Sequence, residues 1–308
     1  MTRLGARALA PAALVLTACG KAPELPVTPG WMSFQPDGVG LQALTLPGTH
    51  DSMAMYEDLK DTAQTQSLPL VEQYDAGIRY VDMRCRNVMD AFEMYHGTVD
   101  ELATFDDVLA TTYAFLDEYP TETIAMSIKE ETGSGTTSET FDQVAAGYIA
   151  KDADRWYTGD SIPALGDVRG KIVLVRRYDT AQTPMGIDGS QWADDTTFTL
   201  TTPDATLTIE DNYVSVDPMT DKWPDILALF GEARAGSAST WYLAYTSGYI
   251  TEPDQLPDIE AVSDVVNPLL DAYLTAPANT RAHLGAVVMD FATRDRVAEV
   301  TALDALTR

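Results

Sequence analysis

The sequence predicts an α/β protein built as one domain, an irregular (β/α)8, or TIM, barrel. Three observations favour this fold: β-rich runs alternate with stretches of helical period, the β-rich runs alternate in side-chain polarity, and the chain can form one large core. It has 308 residues, 45% of them hydrophobic, and barrels of this class routinely reach about 250 residues as a single unit.

Eight short runs carry the strand signal, and five longer stretches carry the helix signal. The second and third strands leave little room for a helix between them, which makes the barrel irregular. Residues 179–203 form a long polar connection, either a functional lid or a decoration. The predicted strands are Ala43–Leu46, Arg79–Arg84, Glu93–His96, Thr123–Lys129, Lys171–Arg177, Thr206–Ser215, Thr240–Tyr245 and Gly285–Asp290. The predicted helices are Thr104–Tyr119, Ser138–Lys151, Trp223–Arg234, Ile259–Leu274 and Asp295–Leu306.

Side-chain alternation in the fourth predicted strand indicates which face looks into the barrel. Along Thr123–Lys129 one face carries Thr, Ala, Ser and Lys, and the other carries Ile, Met and Ile. The apolar face should meet the helices, so the polar face should line the barrel. Lys129 then lies at the C-terminal mouth, where barrel enzymes place their chemistry.

The N-terminus reads as a targeting segment over residues 1–19. A positive start and the short apolar run Ala8–Leu16 end at Leu16–Gly20, which resembles a bacterial lipobox with Cys19 as the lipidated residue. The alternative is ordinary secretory cleavage nearby. Residues 20–38 are proline-rich and suit an extended tether, so the barrel domain should span residues 39–308. Cys85 is then the only thiol of the domain, which excludes an internal disulfide.

The charge balance excludes some partners. Twenty Lys and Arg residues against 47 Asp and Glu give a formal net charge of −27, which repels nucleic acid and weakens attraction to anionic lipid. The surplus acid otherwise reads as a solvated surface. An anionic substrate would need its own local positive pocket, so cationic side chains beside candidate catalytic residues become informative.

Two of the three histidines stand at predicted strand ends. His50 follows the first strand and its Pro-Gly turn, and His96 ends the third. A single histidine at such a place is usually structural, but two at one barrel mouth can serve as general base and general acid.

Asp82 and Arg84 are two apart on the second strand and so share a face. The guanidinium can donate two parallel hydrogen bonds to a phosphodiester, although a purely structural Asp–Arg pair fits equally well. Asp290 ends the last strand, which barrel closure places beside the strand of His50. A carboxylate there can fix the imidazole tautomer, whereas the ordinary role of such an aspartate is a turn or helix cap.

Three further residues fit a pocket for a polyhydroxylated, anionic headgroup. Arg177 ends the fifth strand, and Asp211 and Tyr213 are two apart on one face of the sixth. Carboxylates accept hydrogen bonds from sugar-like hydroxyls, and an aromatic ring can stack on the carbon face.

Collinear motifs resemble those of bacterial phosphatidylinositol-specific phospholipase C. The resemblance spans most of residues 41–292, with little support between residues 179 and 205. The matching segments are Leu46–Ser52, Gly77–Arg84, His96-Gly97, Glu122–Lys129, Arg169–Tyr178 and Val288–Phe291.

The resemblance implies an irregular TIM barrel and a two-step reaction. The inositol 2-hydroxyl attacks phosphorus, diacylglycerol leaves, and the resulting 1,2-cyclic phosphate is then slowly hydrolysed. On matching positions His50 is the general base oriented by Asp290, and His96 is the general acid assisted by Asp51. Arg84 stabilises the phosphoryl oxygens, and Asp82, two positions before it, is also expected among the catalytic residues. The implied substrate-binding residues are Lys129, Arg177, Asp211, Tyr213 and Gly97.

The resemblance also implies partners, cofactors and location. Calcium-dependent relatives carry an acidic ligand where this chain has Arg84, so we expect no metal and no other cofactor. The expected partner is phosphatidylinositol or a related inositol phospholipid at a membrane interface, met by a monomer in the cell envelope or outside the cell.

Two alternatives stay open on the sequence. One is an inactive barrel that binds phosphoinositides or inositol glycans as a surface lipoprotein. The other is a glycerophosphodiester phosphodiesterase, although that chemistry needs a carboxylate cluster around a divalent metal, and the first strand lacks a His-Arg-Gly motif.

Overall fold

A computed structural model of the chain describes residues 29–57, 61–131, 136–237, 239–251 and 256–304 as an α/β barrel. The strands are β1 Leu46–Thr49, β2 Tyr80–Val88, β3 Ala91–His96, β4 Val99–Thr104, β5 Ile124–Glu130, β6 Trp156–Tyr157, β7 Ile172–Arg177, β8 Ile187–Asp188, β9 Thr196–Thr201, β10 Thr206–Asp211, β11 Val214–Ser215, β12 Thr240–Tyr245, β13 Tyr249–Ile250 and β14 Ala286–Met289. The α-helices are α1 Leu70–Ala76, α2 Phe105–Glu118, α3 Phe141–Lys151, α4 Leu165–Val168, α5 Lys222–Ala235, α6 Glu260–Leu274 and α7 Arg294–Leu303.

A run of parallel strands curls into the barrel wall in the order β7-β5-β2-β1-β14-β12-β10. The predicted irregular TIM barrel is thereby confirmed. The last strand, β14, pairs with the first, β1, as predicted, but within the described ranges no hydrogen-bonded ladder joins the β7 edge to the β10 edge, so the barrel is open at that seam. β6 and β8 flank β7, and the antiparallel β9 flanks β10, so the sheet ends on each side in a short extra strand.

The third predicted strand is not part of the barrel wall. β2 runs past the sheet and turns at Met89 and Asp90, whose φ angles of 51° and 64° give the tight connection of an antiparallel hairpin. β3 therefore pairs antiparallel with β2, and β4 pairs with β3. A two-residue turn leaves no room for a crossover helix, which is the physical reason that this unit departs from the βα pattern.

The N-terminal boundary differs from the prediction. Residues 31–34 form a 3-10 helix in which Trp31 and Met32 are buried, and the Trp31 Nε1 atom donates a hydrogen bond to the Gly77 carbonyl at 2.9 Å. The predicted tether is thus wrong for residues 29–38, because the buried Trp31 indole packs these residues onto the domain. The indole covers the barrel end opposite the C-termini of the strands. The rest of the tether, the leader and Cys19 lie outside the described residues.

The first strand begins later than predicted. Residues 41–43 form a 3-10 turn, and β1 begins at Leu46, whose pairing with Ala286 of β14 sets the register. Leu41, Leu44 and Leu46 are all buried, so this apolar run fills the barrel end first and enters the sheet only afterwards.

Two hydrophobic clusters confirm the alternation predicted for β5. Ile124, Met126 and Ile128 belong to the larger cluster, which lies between sheet and helices. Ala125 belongs to the smaller cluster inside the barrel. No helix in the described part of the chain is both long and apolar enough to cross a membrane.

Candidate active site

His50 and Asp290 meet at the C-terminal ends of β1 and β14, as predicted. The two strands are parallel neighbours, and the His50 N–H donates to the Met289 carbonyl at 3.0 Å, which brings residues 240 positions apart side by side. His50 Nδ1 lies 2.8 Å from Asp290 Oδ1. The buried Asp290 carboxylate also accepts a hydrogen bond from the Gly248 N–H at 3.3 Å, so it is held from two sides.

Arg84 determines the tautomer of His50. Its Nη2 atom lies 2.6 Å from His50 Nε2, and because a guanidinium only donates, Nε2 must be the acceptor. The proton of the neutral ring is therefore on Nδ1, where it is donated to Asp290. A histidine held in this form keeps a lone pair on Nε2, here engaged by Arg84, and an unprotonated nitrogen is what a general base needs.

Asp82 and Asp51 hold Arg84 from behind. Arg84 Nε donates to Asp82 Oδ2 at 3.3 Å and lies 3.6 Å from Asp51 Oδ2. Although burial opposes it, Arg84 and then Arg177 keep the pKa of Asp82 below its usual range. Burial raises the pKa of Asp51, outweighing Arg84. Asp82 is fully buried and does not line the cavity, so the structure gives it the task of orienting two guanidinium groups.

His96 faces His50 across the cavity, with ring centroids 6.3 Å apart. Its Nδ1 atom donates to the Ala63 carbonyl at 2.6 Å, and Asp51 Oδ2 lies 4.0 Å from the same nitrogen. The hydrogen bond of this nitrogen therefore goes to the backbone, and the assistance expected from Asp51 stays a prediction. Burial, with the charge of Arg84 next, lowers the pKa of His96 to about 4.

The four side chains expected to hold the inositol all line the same cavity. Arg177 Nη2 lies 3.7 Å from Asp211 Oδ2, although the two residues end strands that are not paired. Lys129 Nζ lies 3.8 Å from Glu131 Oε2, and Arg84 followed by desolvation lowers the pKa of Lys129. Tyr213 lies at the mouth, but in the turn after β10 instead of on the strand, because that strand ends at Asp211.

Gly97 does not line the cavity. It occupies the left-handed turn between β3 and β4 with a φ of 57°, and its carbonyl accepts a hydrogen bond from Arg86 Nη2 at 2.7 Å. Substrate binding by Gly97 stays a prediction. Its backbone conformation lets the hairpin reverse just after His96.

The cavity has a volume of about 440 Å³ and includes residues that sequence reasoning missed. Trp192 is the most informative: its ring centroid lies 3.9 Å from the Arg177 guanidinium carbon, and its Nε1 donates to Asp211 Oδ2 at 2.8 Å. A tryptophan within the polar connection 179–203 was the available signal. That connection is not a mere decoration, because its residues 190 and 192–194 line the cavity. The other missed lining residues include Thr62, Ser190, Tyr249 and Ile259.

The described residues contain no group of three or more His, Cys, Asp or Glu side chains arranged to hold a metal ion. The cationic group nearest the histidine dyad is instead the Arg84 guanidinium, and Lys129 and Arg177 line the same cavity. Three cationic side chains thus line one cavity of a strongly acidic chain, although the carboxylates of Glu130, Asp194, Asp211 and Asp290 line it as well.

Residues 45–178 match the family model described as phosphatidylinositol-specific phospholipase C, X domain. A 1-phosphatidylinositol phosphodiesterase of Listeria monocytogenes is 40% identical over 164 residues, which are half of this chain and half of that protein. A 1-phosphatidylinositol phosphodiesterase of Staphylococcus aureus is 28% identical over 290 residues, covering 88% of this chain and 89% of that protein.

Known structures agree with the sequence matches over nearly the whole chain. The F249X mutant of phosphatidylinositol-specific phospholipase C from Staphylococcus aureus superposes with a TM-score of 0.81 at 26% identity, covering 89% of this chain and 97% of that one. The enzyme of the same name from Listeria monocytogenes gives a TM-score of 0.73 at 28% identity, covering 91% of this chain and 100% of that one. The predicted resemblance to phosphatidylinositol-specific phospholipase C is thereby confirmed, with the X domain of that family matched over residues 45–178 and the fold matched over nearly the whole chain.

Proposed function

We propose that this protein cleaves phosphatidylinositol or a related inositol phospholipid by attack of the inositol 2-hydroxyl on phosphorus. The observation that carries the proposal is the hydrogen-bonded chain Asp290–His50–Arg84, facing His96 across one cavity. The related Listeria and Staphylococcus proteins are named as 1-phosphatidylinositol phosphodiesterases, which supports the same reaction here.

In this proposal His50 removes the proton from the 2-hydroxyl. Its Nε2 lone pair is available once the substrate hydroxyl replaces the Arg84 contact, and Asp290 stabilises the imidazolium that forms. The new oxygen–phosphorus bond closes the five-membered cyclic phosphate. Arg84 then donates to the phosphoryl oxygens, whose charge grows in the transition state.

His96 gives a proton to the departing glycerol oxygen as the phosphorus–oxygen bond breaks. Burial, followed by the charge of Arg84, lowers the pKa of His96 to about 4, so its imidazolium is not the resting form at neutral pH. The negative charge of a bound phosphodiester favours the imidazolium, because an opposite charge within a few ångströms raises the pKa of a base. Asp51 adds to this effect at 4.0 Å in its ionised form. Diacylglycerol leaves, and water attacks the cyclic phosphate with the two histidines in exchanged roles.

The inositol ring is proposed to lie between Tyr213 and the charged groups Lys129, Arg177 and Asp211. The carboxylate accepts hydrogen bonds from ring hydroxyls, the cations donate to them, and the aromatic face covers the ring carbons. All four side chains line the cavity, which supports this placement.

The direct test is incubation of the purified protein with phosphatidylinositol vesicles in EDTA, with phosphorus NMR as the readout. We expect a cyclic phosphate resonance that precedes the monoester, and the same rate with added calcium. A folded protein that binds the vesicles without giving this resonance would instead support the binding-only alternative. Activity that requires a divalent ion would overturn the assignment of the cationic role to Arg84.

We also propose that the protein is exported and lipid-anchored through Cys19. The proposal rests on the lipobox-like segment Leu16–Gly20 alone, which lies outside the described residues. An anchor would hold the barrel near a membrane without the help of surface charge, which is unfavourable for anionic lipid in a chain of net charge −27.

A further inference from the structure

A buried ion pair lies directly behind the cavity wall formed by Asp211 and Tyr213. Lys222 Nζ donates to Glu210 Oε1 at 2.8 Å, and the two side chains are 1% and 0% exposed. Because neighbouring residues of a strand point to opposite faces, Asp211 faces the cavity while Glu210 points to the first turn of α5. The proposed reaction gives neither of these two charges a chemical task.

The Lys222–Glu210 pair hydrogen-bonds to the backbone of Asn212, which lies between the wall residues Asp211 and Tyr213. Lys222 Nζ donates a second hydrogen bond, at 2.8 Å, to the carbonyl of Asn212. The Asn212 N–H donates to Glu210 Oε1 at 3.1 Å, and its side-chain Nδ2 donates to Asp225 Oδ2 at 2.8 Å. Both backbone polar groups of Asn212 are thus fixed by the ion pair, and its side chain is fixed by α5.

Stability alone is a poor explanation for this arrangement. A buried ion pair often contributes no more than apolar residues of the same size would, because both charges lose their water. Burial raises the pKa of Glu210 to about 7 even though Lys222 opposes it, and Glu210 Oε2 is buried without a hydrogen-bond partner. What an apolar pair could not supply is the donor for the Asn212 carbonyl.

Tyr213 is held from the other side by the connection between β8 and β9. Its hydroxyl donates to Asp194 Oδ1 at 2.7 Å, and its N–H donates to Asp195 Oδ1 at 2.8 Å. Those contacts fix the ring tip and the backbone N–H. The carbonyl oxygen of that same peptide unit, contributed by Asn212, is fixed by Lys222.

We propose that Lys222 is a positioning residue for headgroup binding, since its ammonium, held by Glu210, fixes the turn at Asn212 and thereby aims the Tyr213 ring into the cavity. The inference rests on the proposed function, because it takes the inositol ring as the group that Tyr213 covers. Lys222 does not line the cavity, so it acts only through the turn.

The test is the substitution Lys222→Met, assayed on soluble inositol 1,2-cyclic phosphate well below the melting temperature. We expect KM to rise about tenfold, which corresponds to losing most of the contribution of one stacked aromatic ring. We expect kcat to stay within about threefold and its pH profile to keep its shape, because both histidines are untouched. Inhibition by myo-inositol should weaken in the same proportion as KM.

Arg79→Met is the matched control. Arg79 forms the other fully buried ion pair described here, with Glu122 at 2.9 Å, at the opposite end of the barrel. Each substitution leaves a buried carboxylate, Glu210 or Glu122, without its cationic partner, so both should lower Tm. Only Lys222→Met should raise KM. The double variant Glu210→Gln/Lys222→Met removes the stranded charge. It should recover stability and keep the high KM, because the Asn212 carbonyl still lacks its donor.

The outcomes separate cleanly. An unchanged KM in folded Lys222→Met, or an equal rise of KM in Arg79→Met, overturns the positioning role and leaves the proposed function intact. Wild-type protein that turns over neither phosphatidylinositol nor the cyclic phosphate overturns the proposed function itself.

Discussion

Replacement of Asp290 by Asn tests the centre of the proposed mechanism with one atom changed. The Asp290 carboxylate lies 2.8 Å from His50 Nδ1 and is 1% exposed, so water screens the pair poorly. Coulomb's law with an effective dielectric constant of about 20 gives about 6 kcal/mol for two unit charges at that distance. This attraction exists only once His50 has taken the proton, so it acts on the transition state.

The expected loss in kcat is between about 10²-fold and 10⁴-fold, with the upper bound set by the Coulomb attraction. An asparagine can also donate to Nδ1, which would move the ring proton to Nε2 and remove the lone pair that faces Arg84. Cleavage of phosphatidylinositol at saturating substrate, followed by phosphorus NMR, measures kcat for the step in which His50 takes the proton. Asp271→Asn is the control, because it weakens the Asp271–Arg296 pair, at 2.6 Å, away from the cavity. A folded Asp290→Asn variant within about threefold of wild-type kcat would refute the reasoning.

Three further predictions follow from the same contacts. Arg84→Ala should lower kcat by about 10³-fold, since it removes a donor that a lysine lacks the geometry to replace, and Arg84→Lys should recover only part of this in the phosphorus NMR assay. The pKa of the Asp82 carboxylate is held below its usual value, so its ionised form stabilises the fold above about pH 4, and this contribution is lost as the pH falls further. Asp82→Asn should therefore flatten the acid side of a plot of unfolding free energy against pH. An unchanged slope would contradict this. Cys19→Ser should abolish incorporation of labelled fatty acid, detected by mass spectrometry of the N-terminal peptide, whereas Cys85→Ser should leave it unchanged.

The contacts of the candidate active site could be predicted from the sequence where they depend only on the order of the strands. His50 and Asp290 end the first and last strands of a barrel, and barrel topology alone makes those strands neighbours. Asp82 and Arg84 share a face because β2 is extended at that point. Such inferences need only the strand period and the direction of the chain.

The remaining contacts of the site depend on turns and connections, whose residues follow no regular spacing in the sequence. Tyr213 lies after the end of β10, and Trp192 reaches Arg177 from a connection with no regular pattern, so neither contact could be read from spacing. The hairpin that carries His96 was mistaken for a barrel strand because its turn residues, Met89 and Asp90, are not the usual Asn-Gly pair. The buried N-terminal turn was missed because prolines around Trp31 suggested a tether.

The incomplete sheet has a consequence for how the protein responds to its ligand. Backbone ladders are missing between the β7 and β10 edges in the described chain, and the seam is spanned by side chains, namely Arg177, Asp211 and the indole of Trp192. Two of these groups are proposed to grip the headgroup, so an occupied site adds a cross-link where the wall lacks one. Amide hydrogen exchange along β9 and β10 should therefore slow on addition of myo-inositol, while exchange in β1 and β14 changes little. In this barrel, the Arg177 and Asp211 side chains that are proposed to bind the headgroup also bridge the open seam between β7 and β10.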